Sequence, residues 1–319
     1  MRYINLPGTA LRPSVLCMGG GQLCLEDDDR NVWSLLDTYF ELGGNIIDSA
    51  NIYGKWLPSG KNVCDINIGR WLRRTGVRDQ VIVAAKAAHP PLGDMTRSRL
   101  KRAELEADLD ESLSALDCGI IDLFYLHRDD PAVPVEGIVD DLNDFVSQGK
   151  IRYFAASNWS PARIATAQDY AKKSGKAGFA ANQLMFSLAI PIKEHAPYPF
   201  IEVMDDEAMR CHRQSGLPAV AYESQARGFF HKYAQTGGIP DALQQVYGDH
   251  RNTERFDRAR RLAQELGRKI GDVILGYVLN QPFPSIAIIG GHTPEQLRDS
   301  ATAADLILTP EQIRWLAEG

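Results

Sequence analysis

VIVAAKAAHP, residues 81–90, is the stretch from which the rest of this chain is read. Its first eight residues are apolar except for Lys86, and the run has the length and composition of a strand buried on both faces. An unpaired ammonium there is strongly disfavoured, so Lys86 needs an anion beside it. NIIDSANIYG at 45–54 offers Asp48 at the end of the preceding candidate strand, with Tyr53 five residues later. IDLFYLHRDD at 121–130 ends the next candidate strand on His127. Three successive strand ends thus carry a carboxylate, a phenol, an ammonium and an imidazole, a set able to move a proton. Taken singly, Asp48 reads equally as a turn cap, His127 as a hydrogen-bonded structural histidine and Tyr53 as core or surface.

Outward from this stretch, short apolar runs predict strands at 15–20, 45–49, 81–86, 120–127, 151–157, 179–184, 218–223 and 285–290. Helical patterns lie between them at 28–42, 65–74, 98–116, 135–148, 161–174, 202–215, 255–267 and 294–304. RYINLPGTALRP, before the first of these strands, reads as a hairpin turning at Pro7–Gly8. Such alternation fits either a doubly wound sheet or a barrel. The doubly wound dinucleotide fold wants G-x-G-x-x-G after its first strand, but Gly19, Gly20 and Gly21 run on into Gln22, Leu23 and Cys24. Polar residues recur at strand ends around the whole chain: Asp48, Lys86, His127, Ser157 and Asn158, Gln183, Tyr222, Gly290 and Gly291. In a barrel all these ends meet on one face, where barrel enzymes keep their chemistry. The expected fold is therefore α/β, a (β/α)8 TIM barrel over residues 1–319. An N-terminal β-hairpin closes its floor, and long loops stand at its C-terminal face.

Composition narrows the function. Thirty-five basic against 41 acidic side chains give a net charge of −6, which disfavours nucleic acid or an anionic membrane as partner. No apolar run approaches a bilayer span, and MRYINLPGTA lacks a signal-peptide core, so a cytoplasmic protein is expected. Five cysteines, Cys17, Cys24, Cys64, Cys118 and Cys211, without a C-x-x-C pair, read as reduced thiols. The seven histidines are scattered and form no metal-binding motif.

With these residues in hand, the chain resembles the aldo-keto reductases. DSANIYG matches that family's D-x-A-x-x-Y-G, followed by a lysine ending the third strand and a histidine ending the fourth. The similarity continues through SNW at 157–159, NQ at 182–183, AYESQARGFF at 221–230 and IIGGHTPEQLRDS at 288–300. It implies reduction of an aldehyde or ketone with Asp48, Tyr53, Lys86 and His127 as catalytic residues, and hydride from a nicotinamide cofactor. By the resemblance Ser157, Asn158 and Gln183, with Asp48 nearby, hold the carboxamide, Tyr222 stacks on the ring, and Gly20 and Gln22 lie near its ribose. Gly290, His292 and Gln296 fall at the adenosine end. The family implies NADPH, but Gln296 and Ser300 stand where some members carry Arg and Asn, which leaves NADH or dual use as the alternative.

Independently of the family, an ammonium beside a phenol favours its ionised form, so Lys86 is expected to lower the pKa of Tyr53 and make it the proton donor. His127 would orient the carbonyl. Substrate walls are sought in Trp56, Arg128, Trp159 and Phe186, with a carbohydrate-derived or aromatic carbonyl in view. Loops 187–200 and 225–253 read as a lid or a subunit contact. Two rival functions stand beside the reductase: a Schiff-base aldolase with Lys86 as nucleophile, and a cofactor-binding redox sensor with little turnover.

Overall fold

The computed structural model describes residues 1–195 and 200–319. Eight strands form a closed parallel barrel in sequence order: β1 (Leu16–Gly19), β2 (Ile46–Asp48), β3 (Ile82–Ala87), β4 (Ile121–Leu126), β5 (Ile151–Ser157), β6 (Asn182–Met185), β7 (Ala219–Tyr222) and β8 (Ser285–Ile289). β1 closes the ring against β8, with Leu16 opposite Ala287. Around it, in chain order, lie α1 (Asp29–Glu41), α2 (Val63–Thr75), α3 (Arg102–Leu116), α4 (Val135–Ser147), α5 (Pro161–Ser174) and α6 (Asp206–Ser215). They are followed by α7 (Phe229–Thr236), α8 (Asp241–Tyr247), α9 (Arg251–Leu266), α10 (Ile270–Leu279), α11 (Pro294–Ala301) and α12 (Pro310–Glu318).

The two-residue period of β3 decides where Lys86 points. Ile82 and Ala84 belong to the narrow inner cluster with Cys17, Ile46, Leu123 and Tyr125, while Val83, Ala85 and Ala87 pack outward under the helices. Lys86 continues the inner row, as Asp48 continues the row begun by Ile46. Both side chains therefore emerge inside the barrel at its C-terminal mouth.

The N-terminal segment closes the opposite end. Ile4 N donates to Pro13 O at 3.0 Å and Leu6 N to Leu11 O at 3.1 Å, with Gly8 at φ 74° in the turn. Pairing amounts to a hairpin, although Tyr3 and Ser14 make only an isolated antiparallel bridge. Leu6 and Leu11 seal the inner cluster, and burying them contributes roughly 3–6 kcal/mol.

Four helices depart from the pattern expected from sequence. α10 lies outside the expected pattern because Val273 to Leu279 is buried on every side and shows no amphipathic period. α7 and α8 occupy much of the segment expected as loop 225–253, and α12 covers α9 through bonds such as Arg255 Nε to Ala317 O at 3.1 Å. Loop 187–200 is tied down at Ile192, whose N–H donates to Val246 O at 2.7 Å. Pro197 and Pro199 lie outside the described residues.

Candidate active site

At the mouth, Lys86 Nζ donates to Asp48 Oδ2 at 2.6 Å, to the Ser49 carbonyl at 2.9 Å and to Tyr53 Oη at 3.4 Å. Gln183 Nε2 donates to the other Asp48 oxygen at 2.9 Å. Lys86 is 1% exposed and Asp48 3%. Burial alone would pull the lysine pKa down, but Asp48 and Tyr53 outweigh it and raise it, so the ammonium stays charged. Nothing in such a pair provides a neutral amine.

Tyr53 reverses one expectation. Burial pushes its phenol up further than Lys86 pulls it down, with Asp48 adding to the rise, so its pKa lies above the ordinary value. Lys86 moderates a desolvated phenol rather than producing an acidic one. His127 is also buried, and burial reinforced by the charges of Arg128 and Lys86 holds its imidazole well below the usual range. The ring is neutral at pH 7. Its Nδ1 has no hydrogen-bond partner among the described residues; because a buried N–H without an acceptor is rarer than a buried lone pair, the proton is assigned to Nε2.

Four rings meet edge to face in series across the mouth. Trp56 lies 6.1 Å from Tyr53 at 64°, Tyr53 5.9 Å from His127 at 79°, and His127 4.8 Å from His89 at 66°. Trp56 is 51% exposed and forms the outer end of the series. His89 was not singled out from sequence. The signal was its position on the exit loop of β3, opposite the exit of β4 that carries His127.

On the other side of the mouth, neutral groups hold one another. Tyr222 Oη donates to Asn158 Oδ1 at 2.7 Å, and Asn158 Nδ2 reaches Ser157 Oγ at 3.0 Å and the His127 carbonyl at 3.3 Å. Asn158 itself sits at φ 58°. At the end of β8, a Cβ on Gly290 would stand 2.7 Å from the Gln22 carboxamide, so a larger residue there would push that amide aside. His292 N donates to Gln296 Oε1 at 2.7 Å within the first turn of α11. An aromatic face beside a hydroxyl and two carboxamides has the chemistry to fit a nicotinamide, whose own carboxamide needs donors and acceptors at once. Among the described residues no group of His, Cys, Asp and Glu has the arrangement of a metal site.

The proposed substrate walls divide. Trp56 is at the mouth, and Arg128, buried, donates to the His127 carbonyl at 2.8 Å. Asp129 pairs with Arg163 at 2.9 Å rather than with Arg128. Trp159 and Phe186 do not join the mouth. Trp159 is 1% exposed with its ring 4.9 Å from Phe179 and Arg163 over its face, and Phe186 is 2% exposed against Tyr277 of α10. The left-handed turn at Asn158 separates the direction of Trp159 from that of the strand before it.

The aldo/keto reductase family model matches residues 15–318. The chain belongs to the aldo/keto reductase family. It is thus an oxidoreductase that works with a nicotinamide cofactor on a carbonyl or its alcohol. Similar proteins include the uncharacterized oxidoreductase YrpG of Bacillus subtilis, 30% identical over 99% of this chain and 95% of the relative. The aryl-alcohol dehydrogenase [NADP(+)] of Phanerodontia chrysosporium is 29% identical over 91% of this chain and 76% of its own length. Among solved structures, the thermostable aldo-keto reductase Tm1743 superposes with a TM-score of 0.74 at 20% identity, covering 99% of both chains. This reductase has no helix long and apolar enough to cross a membrane among its described residues.

Proposed function

We propose that this reductase converts an aromatic aldehyde to its alcohol with NADPH, and that Tyr53 is the proton donor. The observation that carries the assignment is the continuous chain from Asp48 through Lys86 to Tyr53 Oη, with contacts of 2.6 and 3.4 Å at one mouth. A reduced nicotinamide held at this mouth would supply the hydride that the carbonyl carbon takes up. As charge develops on the substrate oxygen, Tyr53 Oη gives it a proton and is left as a phenolate, which Lys86 stabilises across the same 3.4 Å contact. Solvent returns the proton to Tyr53. His127, with its proton on Nε2, offers the oxygen a neutral donor that orients the carbonyl.

A phenol above its ordinary pKa is a poor acid in the resting protein. It becomes a competent one only against a strong base, which the nascent alkoxide is. The edge-to-face series of Trp56, Tyr53, His127 and His89 supports an aromatic substrate. So does the name of the Phanerodontia relative. The paired, charged Lys86 argues against a Schiff-base role.

For the cofactor end, Ser157, Asn158, Gln183 and Tyr222 would bind the nicotinamide, Gly20 and Gln22 its ribose, and Gly290, His292 and Gln296 the adenosine. A panel of benzaldehydes, sugar aldehydes and ketones, with NADPH and NADH in parallel, tests the proposal by the loss of cofactor absorbance. Benzaldehydes with NADPH should give the highest kcat/KM. Tight NADPH binding without turnover of any member would favour the sensor instead.

A further inference from the structure

We propose that His89 is a positioning residue for this reduction, the ring wall that holds the His127 imidazole in the orientation the substrate oxygen meets. The role rests on the carbonyl-reducing reading above, but the hold on His127 is a property of the cofactor-free protein and is measurable there.

His127 is fixed in its backbone and not in its ring. Its N–H donates to the Ala87 carbonyl at 2.8 Å, and its own carbonyl accepts from Arg128 at 2.8 Å and Asn158 at 3.3 Å. None of these bonds sets the torsion of the side chain. Nδ1 has no hydrogen-bond partner among the described residues, so the orientation of the imidazole falls to the rings beside it. Tyr53 is one, at 5.9 Å; His89 is nearer, at 4.8 Å and 66°.

His89 is itself built into place. Its Nδ1 lies 2.7 Å from the Pro90 carbonyl, and since a carbonyl only accepts, Nδ1 carries the proton. Pro90 and Pro91 restrict the backbone on one side. On the other, Ala88 is held at φ 62°, a left-handed conformation that a residue with a Cβ rarely adopts. Its N–H is anchored on the buried Asp108 carboxylate at 3.1 Å. Strain kept in a short exit loop by a buried carboxylate indicates that the ring it presents is positioned with purpose. His89 also borders a crevice of about 170 Å³ shared with Lys86, Arg99 and Asp108.

The test compares His89→Ala, His89→Gln and His89→Phe. Gln retains a donor for the Pro90 carbonyl without the ring; Phe retains the ring without the donor. Steady-state kinetics with benzaldehyde, NADPH affinity by fluorescence, and long-range 1H–15N spectra of the His127 imidazole in the cofactor-free protein are read for each. Ala and Gln should lower kcat about 10- to 100-fold, the loss a small misplacement produces, with NADPH affinity within about twofold of wild type on the same ground. They should also replace the single Nε2–H tautomer of His127 by averaged ring shifts. Phe should restore kcat to within about threefold and restore the single tautomer. Wild-type kcat and wild-type His127 shifts in the Gln variant would overturn the proposal, as would a Phe variant as impaired as Gln in both. If Ala fails to fold, the Gln and Phe pair still decides. Should the wild-type protein reduce no carbonyl, the proposed function fails, while the imidazole spectra still rule on His89.

Discussion

The ends of β2, β3 and β4 and the ends of β5 to β8 face each other across one mouth with opposite means of satisfying buried polar groups. On the first side, the Asp48 carboxylate and the charged Lys86 are buried and paired at 2.6 Å, and neither can lose the other without leaving a buried charge that lacks its counterion. On the second, Asn158, Ser157 and Tyr222 are neutral and share hydrogen bonds with one another. Each such bond is worth about 0.5–1.5 kcal/mol net and is exchangeable for one to a ligand. The charged side is therefore assembled before anything binds, and the amide side, proposed here to hold the cofactor, has bonds it can trade for those of a ligand. That contrast predicts which substitutions abolish chemistry, which unfold the protein and which alter only affinity.

The sharpest break is Tyr53→Phe. It removes one hydroxyl and leaves the Asp48–Lys86 pair intact, so turnover should fall by at least about 10³-fold while NADPH affinity stays within about threefold. Cofactor titration beside steady-state assay measures both. Retention of more than a tenth of wild-type turnover would remove Tyr53 as donor.

Lys86→Met attacks the same side through its fold. Asp48 would keep Gln183 Nε2 at 2.9 Å but lose its counterion, at a cost of about 3–5 kcal/mol in unfolding free energy by urea. Adding Asp48→Asn should recover much of that stability and none of the turnover. A double variant no more stable than Lys86→Met would show that the penalty lies in packing rather than in the stranded carboxylate.

The third effect separates buried imidazoles from buried carboxylates. Burial holds His127 well below the ordinary value, His89 at about 4 and His212 below its usual range. Unfolded histidines take up protons near 6.5, so the folded state is fully favoured above that pH and loses stability as pH falls from about 6.5 toward 4. For His89 the loss is at most about 3 kcal/mol. Asp65 and Asp108, raised by burial, act in the opposite sense and gain stability as pH falls toward 3.8, which makes the net slope shallower. Urea midpoints should drop between pH 7 and pH 5, and His89→Phe should flatten the drop; an unchanged slope in that variant would show that His89 titrates normally.

The same contrast explains what the sequence disclosed. A lone lysine in an alanine strand announces its counterion, because burial leaves it no alternative, and so Asp48 and Lys86 were legible together. Short, uniformly apolar runs disclosed strands buried on both faces, and the polar residues at their ends, from Asp48 round to Gly291, separated the barrel from a doubly wound sheet. Side-chain direction beyond a strand end was not legible: Trp159 follows the left-handed Asn158 and turns into the shell against Phe179. α10 is likewise hidden in the sequence, because an element buried all round has no polar stripe to reveal its period. The resting acidity of Tyr53 is not legible in the sequence, since the adjacent cation is visible there and the desolvation opposing it is a property of the packed mouth.

The smallest expected effect lies farthest from the charges, at the start of α11. Gln296 is exposed and spends its side-chain oxygen on the His292 N–H at 2.7 Å, while Arg298 leans toward Glu295 at 3.7 Å. A cation at position 296 would give up that capping bond, worth about 1 kcal/mol, and gain an exposed charge for a 2′-phosphate. Surface charge pairs contribute about 0.2–1 kcal/mol and a bidentate one more. Gln296→Arg should therefore raise the NADPH-to-NADH ratio of kcat/KM by about threefold to tenfold, with kcat unchanged and stability lowered slightly. The gain should shrink as salt rises from 50 to 500 mM, both concentrations chosen to bracket the roughly 10 Å screening length at 0.1 M. If the ratio does not move, the 2′-phosphate is held elsewhere, and the exchangeable character assigned to the second side of the mouth stops short of α11.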